Sequence, residues 1–123
     1  MAKSATDAVL DGTLDVIALG TLLTVCNAEP TTYTEAITTF KLADVVIDSG
    51  DFTKANGDTN GRKVTVGQQA DVPIDTTGTA THVAIVTTSG TLMRIVTTCT
   101  SQALTSGGTV TVPAFDYEIS DPA

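Results

Sequence analysis

Residues 82–97 read HVAIVTTSGTLMRIVT and carry the strongest fold signal in this chain. Two runs of apolar and β-branched residues, at 82–87 and 92–97, flank the turn residues at 88–91, which is the pattern of a β-hairpin. Both runs have apolar residues on both faces. We therefore expect the hairpin either to lie centrally in a β-sandwich or to pack against a partner subunit.

The remainder of the chain repeats this signal at intervals of about ten residues. Short β-branched runs separated by turn residues begin at about residue 21 and lie at 21–26, 44–48, 62–66, 72–74, 109–112 and 115–119. Pro73 restricts its run to a sheet edge or a bulge. The sequence therefore predicts a mainly β protein, an antiparallel sandwich or barrel of six to eight short strands with one N-terminal α-helix, in a single domain over 1–123.

The one helix is predicted at the N-terminal end of the chain, over about residues 5–19. Leu10, Leu14 and Ile17 recur there at helical spacing. This apolar stripe either covers one end of a sheet or docks onto a neighbouring subunit.

Two other stretches fit more than one structure. Residues 31–40 are rich in Thr and form either a helical turn around 35–38 or a loop. Residues 51–61 are predicted to be a long turn, and within it the string at 56–61 spaces oxygen ligands as a calcium loop does. Gly67 stands where such a loop has its bidentate Glu, so a tight turn is favoured and no metal site is predicted.

The charge balance restricts the partners. The net charge is −8 with only six Lys and Arg, and charged residues make up 16% of the chain, against roughly 25% in average soluble proteins. Few phosphates can be neutralised, so neither nucleic acid nor an anionic membrane surface is an expected partner. No run approaches the roughly 20 apolar residues of a membrane-spanning helix, and no signal peptide is evident, so we expect synthesis in the cytoplasm.

The two cysteines, Cys26 and Cys99, are far apart in sequence. They are too few to form a structural zinc site. Either both are small buried strand residues, or they form a disulfide with each other or across subunits after release into an oxidising medium.

The sequence offers no pattern typical of an enzyme. His82 is the single histidine and lies within a strand run beside Val83, where a structural imidazole is the expected role. Nucleophile elbows, phosphate-binding glycine loops and paired metal-ligating histidines are missing from the sequence. We therefore predict a protein without catalytic residues or cofactors.

Several strings resemble a group of small virion-associated structural proteins of tailed bacteriophages. They are CNAEPTTYTEA at 26–36, DF at 51–52, NGDTNGRKV at 56–64, GTATHVA at 78–84 and VTTCTSQAL at 96–104. The resemblance runs in order through nearly the whole chain. It implies a virion component made in the host cytoplasm, with partners such as the major capsid protein and further copies of the chain.

Within such a particle, charge favours one location. An acidic protein is repelled by packaged DNA, so we expect a capsid decoration or cement protein on the head exterior. The alternative is a neck, tail or fibre component with an adhesin or receptor-binding role. That role would need exposed aromatic residues clustered on loops, and the candidates are Tyr33, Phe40 and Phe52. The residues expected to make contacts with other subunits are Leu10, Leu14, Ile17, Ile85, Ile95, Tyr33 and Phe40.

Overall fold

A computed structural model describes residues 7–58 and 61–119 and shows a mainly β chain with antiparallel sheets and one short N-terminal helix. In chain order the elements are α1 (Asp7–Ile17), β1 (Leu22–Cys26), a π-helical turn (Glu35–Thr39), β2 (Lys41–Val46), a 3₁₀ turn (Ser49–Asp51), β3 (Phe52–Asn56), β4 (Arg62–Val66), β5 (Gln69–Pro73), β6 (Gly78–Thr87), β7 (Leu92–Leu104), β8 (Thr109–Val112) and β9 (Phe115–Ile119). The predicted fold class is confirmed at this level, and the described strands number nine rather than six to eight.

The largest sheet has four strands in the order β2-β1-β6-β7, all antiparallel. The predicted hairpin is confirmed as β6 and β7, with Ile85 opposite Ile95. Both strands extend further than predicted, and β6 is central whereas β7 is at an edge. Because side chains alternate along a strand, this sheet has an inner face on the core and an outer face away from it.

Two smaller sheets contain the remaining described strands, in the orders β3-β4-β9 and β5-β8, and neither closes into a barrel. Strand β3 corrects the prediction of a long turn over 51–61. Its Thr53 and Lys54 are exposed and polar, which hid the strand in the sequence, while Phe52 packs against the core opposite Val66. Residues 52–56 are therefore extended because they pair with β4, although their composition does not indicate a strand.

The main core lies where the inner face of the four-stranded sheet meets the smaller sheets. Leu23 and Ile85 come from the large sheet, Val66 from the second sheet, and Val72 and Val110 from the third. All belong to one cluster of buried side chains. The three sheets therefore share a single apolar core.

Helix α1 packs its apolar stripe on this assembly. Leu14 and Ile17 are buried against Val64 of β4, with Phe52 and Ile119 beside them. Of the two alternatives for the stripe, covering a sheet is therefore what the structure shows. The predicted residues 5 and 6 lie outside the described residues.

Two ion pairs and the close packing of Gly20 on Ile85 hold the helix in place. The Arg62 guanidinium donates from Nε to Asp11 at 2.8 Å, and Lys54 pairs with Asp15. The hydrogen bond from Arg62 lowers the pKa of the Asp11 carboxyl. Beyond the helix, Gly20 is buried against Ile85, so the chain turns into β1 without space for a side chain.

Candidate protein-contact surface

The outer face of the four-stranded sheet has a row of apolar side chains at one end. In register across the four strands lie Val46 of β2, Leu22 of β1, Val86 of β6 and Met93 of β7, which we call the end row. Val86 is buried, Leu22 and Met93 are half-buried, and Val46 is 78% exposed. A valine at the edge of an apolar row is therefore left in solvent.

Further exposed apolar side chains lie at the same end of the sheet. Leu19, 58% exposed, precedes β1, and its carbonyl accepts a hydrogen bond from the Thr87 hydroxyl at 3.0 Å. Leu92 is exposed and pairs with Thr87 where β7 begins. These contacts bring residues distant in sequence to the same end of the sheet as Val46.

The middle of the outer face is covered by residues 31–40, which we call the cover. The structure confirms the helical alternative for this stretch, as a single π-helical turn. Ala36 is buried against Ala84 and Val86, with Tyr33 and Ile37 packed around them. The cover therefore shields the centre of the face and leaves the end row at its border.

A carboxylate holds the start of the cover. Glu35 Oε1 accepts hydrogen bonds from the Thr31 backbone N–H at 2.8 Å and from the Thr31 hydroxyl at 2.7 Å. The Glu35 N–H in turn donates to the Thr32 hydroxyl at 3.2 Å. The hydrogen bond from the Thr31 N–H is the largest cause that lowers the pKa of Glu35. These bonds form a closed turn that we call the Glu35 clasp.

The sequence-predicted contact residues fall into two groups. Leu10, Leu14, Ile17 and Ile85 are buried within this chain, and Ile95 is partly buried against its core. Tyr33 and Phe40 belong to the cover and are half-buried. The end row was not predicted as a unit, because only strand register aligns Val46 with Leu22 and Met93.

The cysteines are both free and lie on opposite faces of the large sheet. Cys26 is buried on the outer face, where its thiol donates to the Ala36 carbonyl at 3.6 Å. Cys99 packs against the main core on the inner face. Cys26 is opposite His82, which is opposite Thr98, so about two strand spacings separate the cysteines, beyond the roughly 7 Å reach of a disulfide. Burial raises the pKa of both thiols.

His82 and Asp116 are engaged in structural contacts. His82 is half-buried in β6, and its Nδ1 lies 2.9 Å from the Thr81 hydroxyl. Asp116 accepts a 2.6 Å hydrogen bond from the Thr65 hydroxyl, which is the largest cause that lowers its pKa. Within 7–58 and 61–119, no three His, Cys, Asp or Glu side chains are grouped to hold a metal ion.

The described residues of the string at 56–61 lie where β3 connects to β4. The Gly57 N–H donates to the Gly61 carbonyl at 2.9 Å, and the Asp58 carboxylate pairs with Lys63 at 2.7 Å. Residues 59 and 60 lie outside the described residues. The one carboxylate of this string is thus used to hold the hairpin.

An apolar groove borders the free edge of β7. A cavity of about 130 Å³ is lined by Val83, Cys99, Val110, Val112 and Pro113 among others. A neighbouring cavity of about 240 Å³ shares Val83, Cys99 and Pro113 and extends to Phe115. The groove separates the inner face of β6 and β7 from β8 and the start of β9.

Comparisons with protein-family models, with curated proteins and with solved structures found no match to this chain. In the part of the chain that the structure describes, no helix has the length and apolar character needed to cross a membrane.

Proposed function

We propose that this chain is a structural subunit that works by packing against other proteins in a larger particle. The observation that supports the proposal is the end row, an in-register apolar row at the border of the outer sheet face with Val46 left 78% exposed. Exposed apolar side chains that are grouped, rather than scattered singly, are typical of protein interfaces. Fully burying one valine contributes about 1.5–3 kcal/mol, so a partner seated here would gain from Val46 alone.

The charges near this surface favour a close contact between neutral protein surfaces. On the outer face, Lys41 pairs with Asp44 at 2.8 Å, and the hydrogen bond from this pair raises the Lys41 pKa. Elsewhere Lys54, Arg62 and Lys63 pair with carboxylates of the same chain. Cations engaged in this way add little attraction for nucleic acid or an anionic membrane.

The particle we propose is the virion of a tailed bacteriophage, on the basis of the sequence resemblance. The location we favour is the head exterior, with the major capsid protein and further copies of this chain as partners, because a chain of net charge −8 is repelled by packaged DNA. A four-stranded sheet that shares one core with two smaller sheets supports a sandwich as the architecture. Of the aromatic candidates for an adhesin role, Phe52 is partly buried against the core, and Tyr33 and Phe40 are half-buried in the cover.

A charge placed in the end row tests the packing role. Val46→Asp should weaken binding to particles that lack the protein by at least tenfold, because a carboxylate would have to be buried in an apolar contact. Thr53→Asp introduces the same charge at an exposed position of β3 and should bind as wild type does. Binding is measured by co-sedimentation, with circular dichroism to show that both variants are folded. Wild-type binding by Val46→Asp would contradict the assignment of this surface.

The location is tested separately by immunogold labelling of intact particles. Label on the head is the expected result, and label restricted to the neck or tail would contradict the proposed position. A wild-type chain that stays monomeric in light scattering and never binds particles would overturn the structural role.

A further inference from the structure

The cover is anchored at its base, where Asn27 and Phe40 meet, and has few fully buried side chains beyond that point. The Asn27 N–H donates to the Phe40 carbonyl at 3.0 Å, and Pro30, just before the cover, is fully buried. The structure describes every residue of the cover, and among them only Ala36 is buried. Tyr33, Ile37 and Phe40 are half-buried, so the larger apolar side chains of the cover bury only part of their surface.

The contacts under the cover are also weak. The hydrogen bond from the Cys26 thiol to the Ala36 carbonyl is 3.6 Å long, and a thiol is a poor donor. Ala36 meets Ala84 and Val86, which offer little area for packing. Segments with few buried apolar contacts open locally at a lower free energy than the whole domain unfolds.

A further constraint on the cover is the Glu35 clasp, which holds the turn in the conformation that packs Tyr33, Ala36 and Ile37 on the sheet. Both hydrogen bonds from Thr31 end on one ionised oxygen, and bonds of this type contribute more than neutral ones. The clasp joins the start of the cover to its π-helical turn. It stabilises the folded turn without bonding the cover to the sheet.

We infer that the cover is a hinged flap that opens from its base at Asn27 and Phe40, and that the Glu35 clasp sets how often it opens. Opening uncovers Thr24, Cys26 and Ala84, which lie next to the end row on the same face. The contact surface offered to a partner subunit is thereby enlarged. The use of this larger surface rests on the proposed function, whereas the opening itself is a property of the isolated chain.

The two thiols provide the measurement. Cys26 is fully buried beneath the cover, whereas Cys99 is half-buried on the opposite face. A small alkylating reagent reaches Cys26 when the cover opens or when the whole chain unfolds. Cys99 is partly exposed and reports on reagent reactivity, while urea unfolding of each variant reports on global stability. Labelling of each cysteine is followed by peptide mass spectrometry on the full chain at one fixed pH.

Glu35→Ala removes the acceptor of both Thr31 bonds. We expect Cys26 to be labelled several-fold faster than in wild type, with an unchanged Cys99 rate. Thr31→Val removes only the hydroxyl bond and should give about a threefold increase. This milder variant preserves the test if Glu35→Ala does not fold.

The matched control is Glu29→Ala, which removes the same charge from an exposed position just before the cover. It should leave both rates unchanged. The inference is overturned if the clasp variants leave the Cys26 rate within twofold of wild type, or if the faster labelling is no larger than the loss of global stability in urea accounts for. Because labelling is read on the isolated chain, this result does not depend on whether Val46 contacts a partner.

Discussion

Gly12 and Gly20 differ in how much room the structure leaves for a side chain, and replacing each with alanine tests this difference. Gly12 lies in α1, is exposed, and a methyl group built on it meets no atom within 4 Å. Gly20 lies where α1 leads into β1, and a methyl group there would overlap the Ile85 Cγ2 atom and crowd the Ile17 carbonyl oxygen at 3.3 Å. Neither glycine has a left-handed φ, so alanine is conformationally acceptable at both positions.

The same substitution should therefore have opposite effects at the two positions. Gly12→Ala should raise the free energy of unfolding by about 0.8–1.0 kcal/mol, the difference in helix propensity between the two residues. Gly20→Ala should lower it by about 1–3 kcal/mol, because Ile85 belongs to the main core and must leave its packed position to admit the methyl group.

Urea unfolding followed by circular dichroism measures both variants, with the midpoint shifting at an unchanged slope. The corresponding shift in melting temperature is about 4 °C per kcal/mol for a chain of this size. A Gly20→Ala variant as stable as wild type would refute the close packing of this turn on Ile85. A destabilised Gly12→Ala variant would refute its exposed position in a regular helix.

Two further predictions concern the hairpin turn and acid stability. Thr91 has a φ of 54°, which is costly for a β-branched residue. Thr91→Gly should therefore raise the free energy of unfolding, measured in urea, by about 0.5–1 kcal/mol. Thr88→Gly in the same exposed turn should not raise it. The pKa of Asp11 is lowered by Arg62, so its stabilisation is complete above the unfolded value near pH 4 and is lost as the pH falls through the folded value. Asp11→Asn should therefore lose stability at pH 7 and show a smaller further loss on acidification, and an acid profile identical to wild type would contradict the ion pair's role.

Much of the fold could be predicted from local patterns. The β6 and β7 hairpin followed from two β-branched runs around a Gly-bearing turn, and β4, β8 and β9 matched their predicted bounds because alternation or aromatic content marks them in the sequence. Strand β3 could not be found in this way. Its outward residues are polar, and its conformation depends on pairing with β4, which a local window does not contain.

The candidate site depended on contacts that no local pattern includes. Leu14 and Ile17 were expected at a contact surface from their spacing, yet the same spacing serves equally to bury them on Val64. Val46 was not singled out from the sequence, because it lies in the middle of the predicted run at 44–48 and looks like an ordinary strand valine there. Its place in the end row appears only from strand register, which sets it opposite Leu22 and in line with the half-buried Met93 two strands further on.

The hairpin at 82–97 shows which features follow from local sequence and which depend on tertiary packing. Local sequence is enough to predict two strands and a turn here, because period and turn chemistry act over a few residues. It is also enough to show that both faces of β6 are apolar. What covers each face depends on packing, which places Ile85 against the core and Ala84 under the cover, because burial depends on partners brought together from distant parts of the chain.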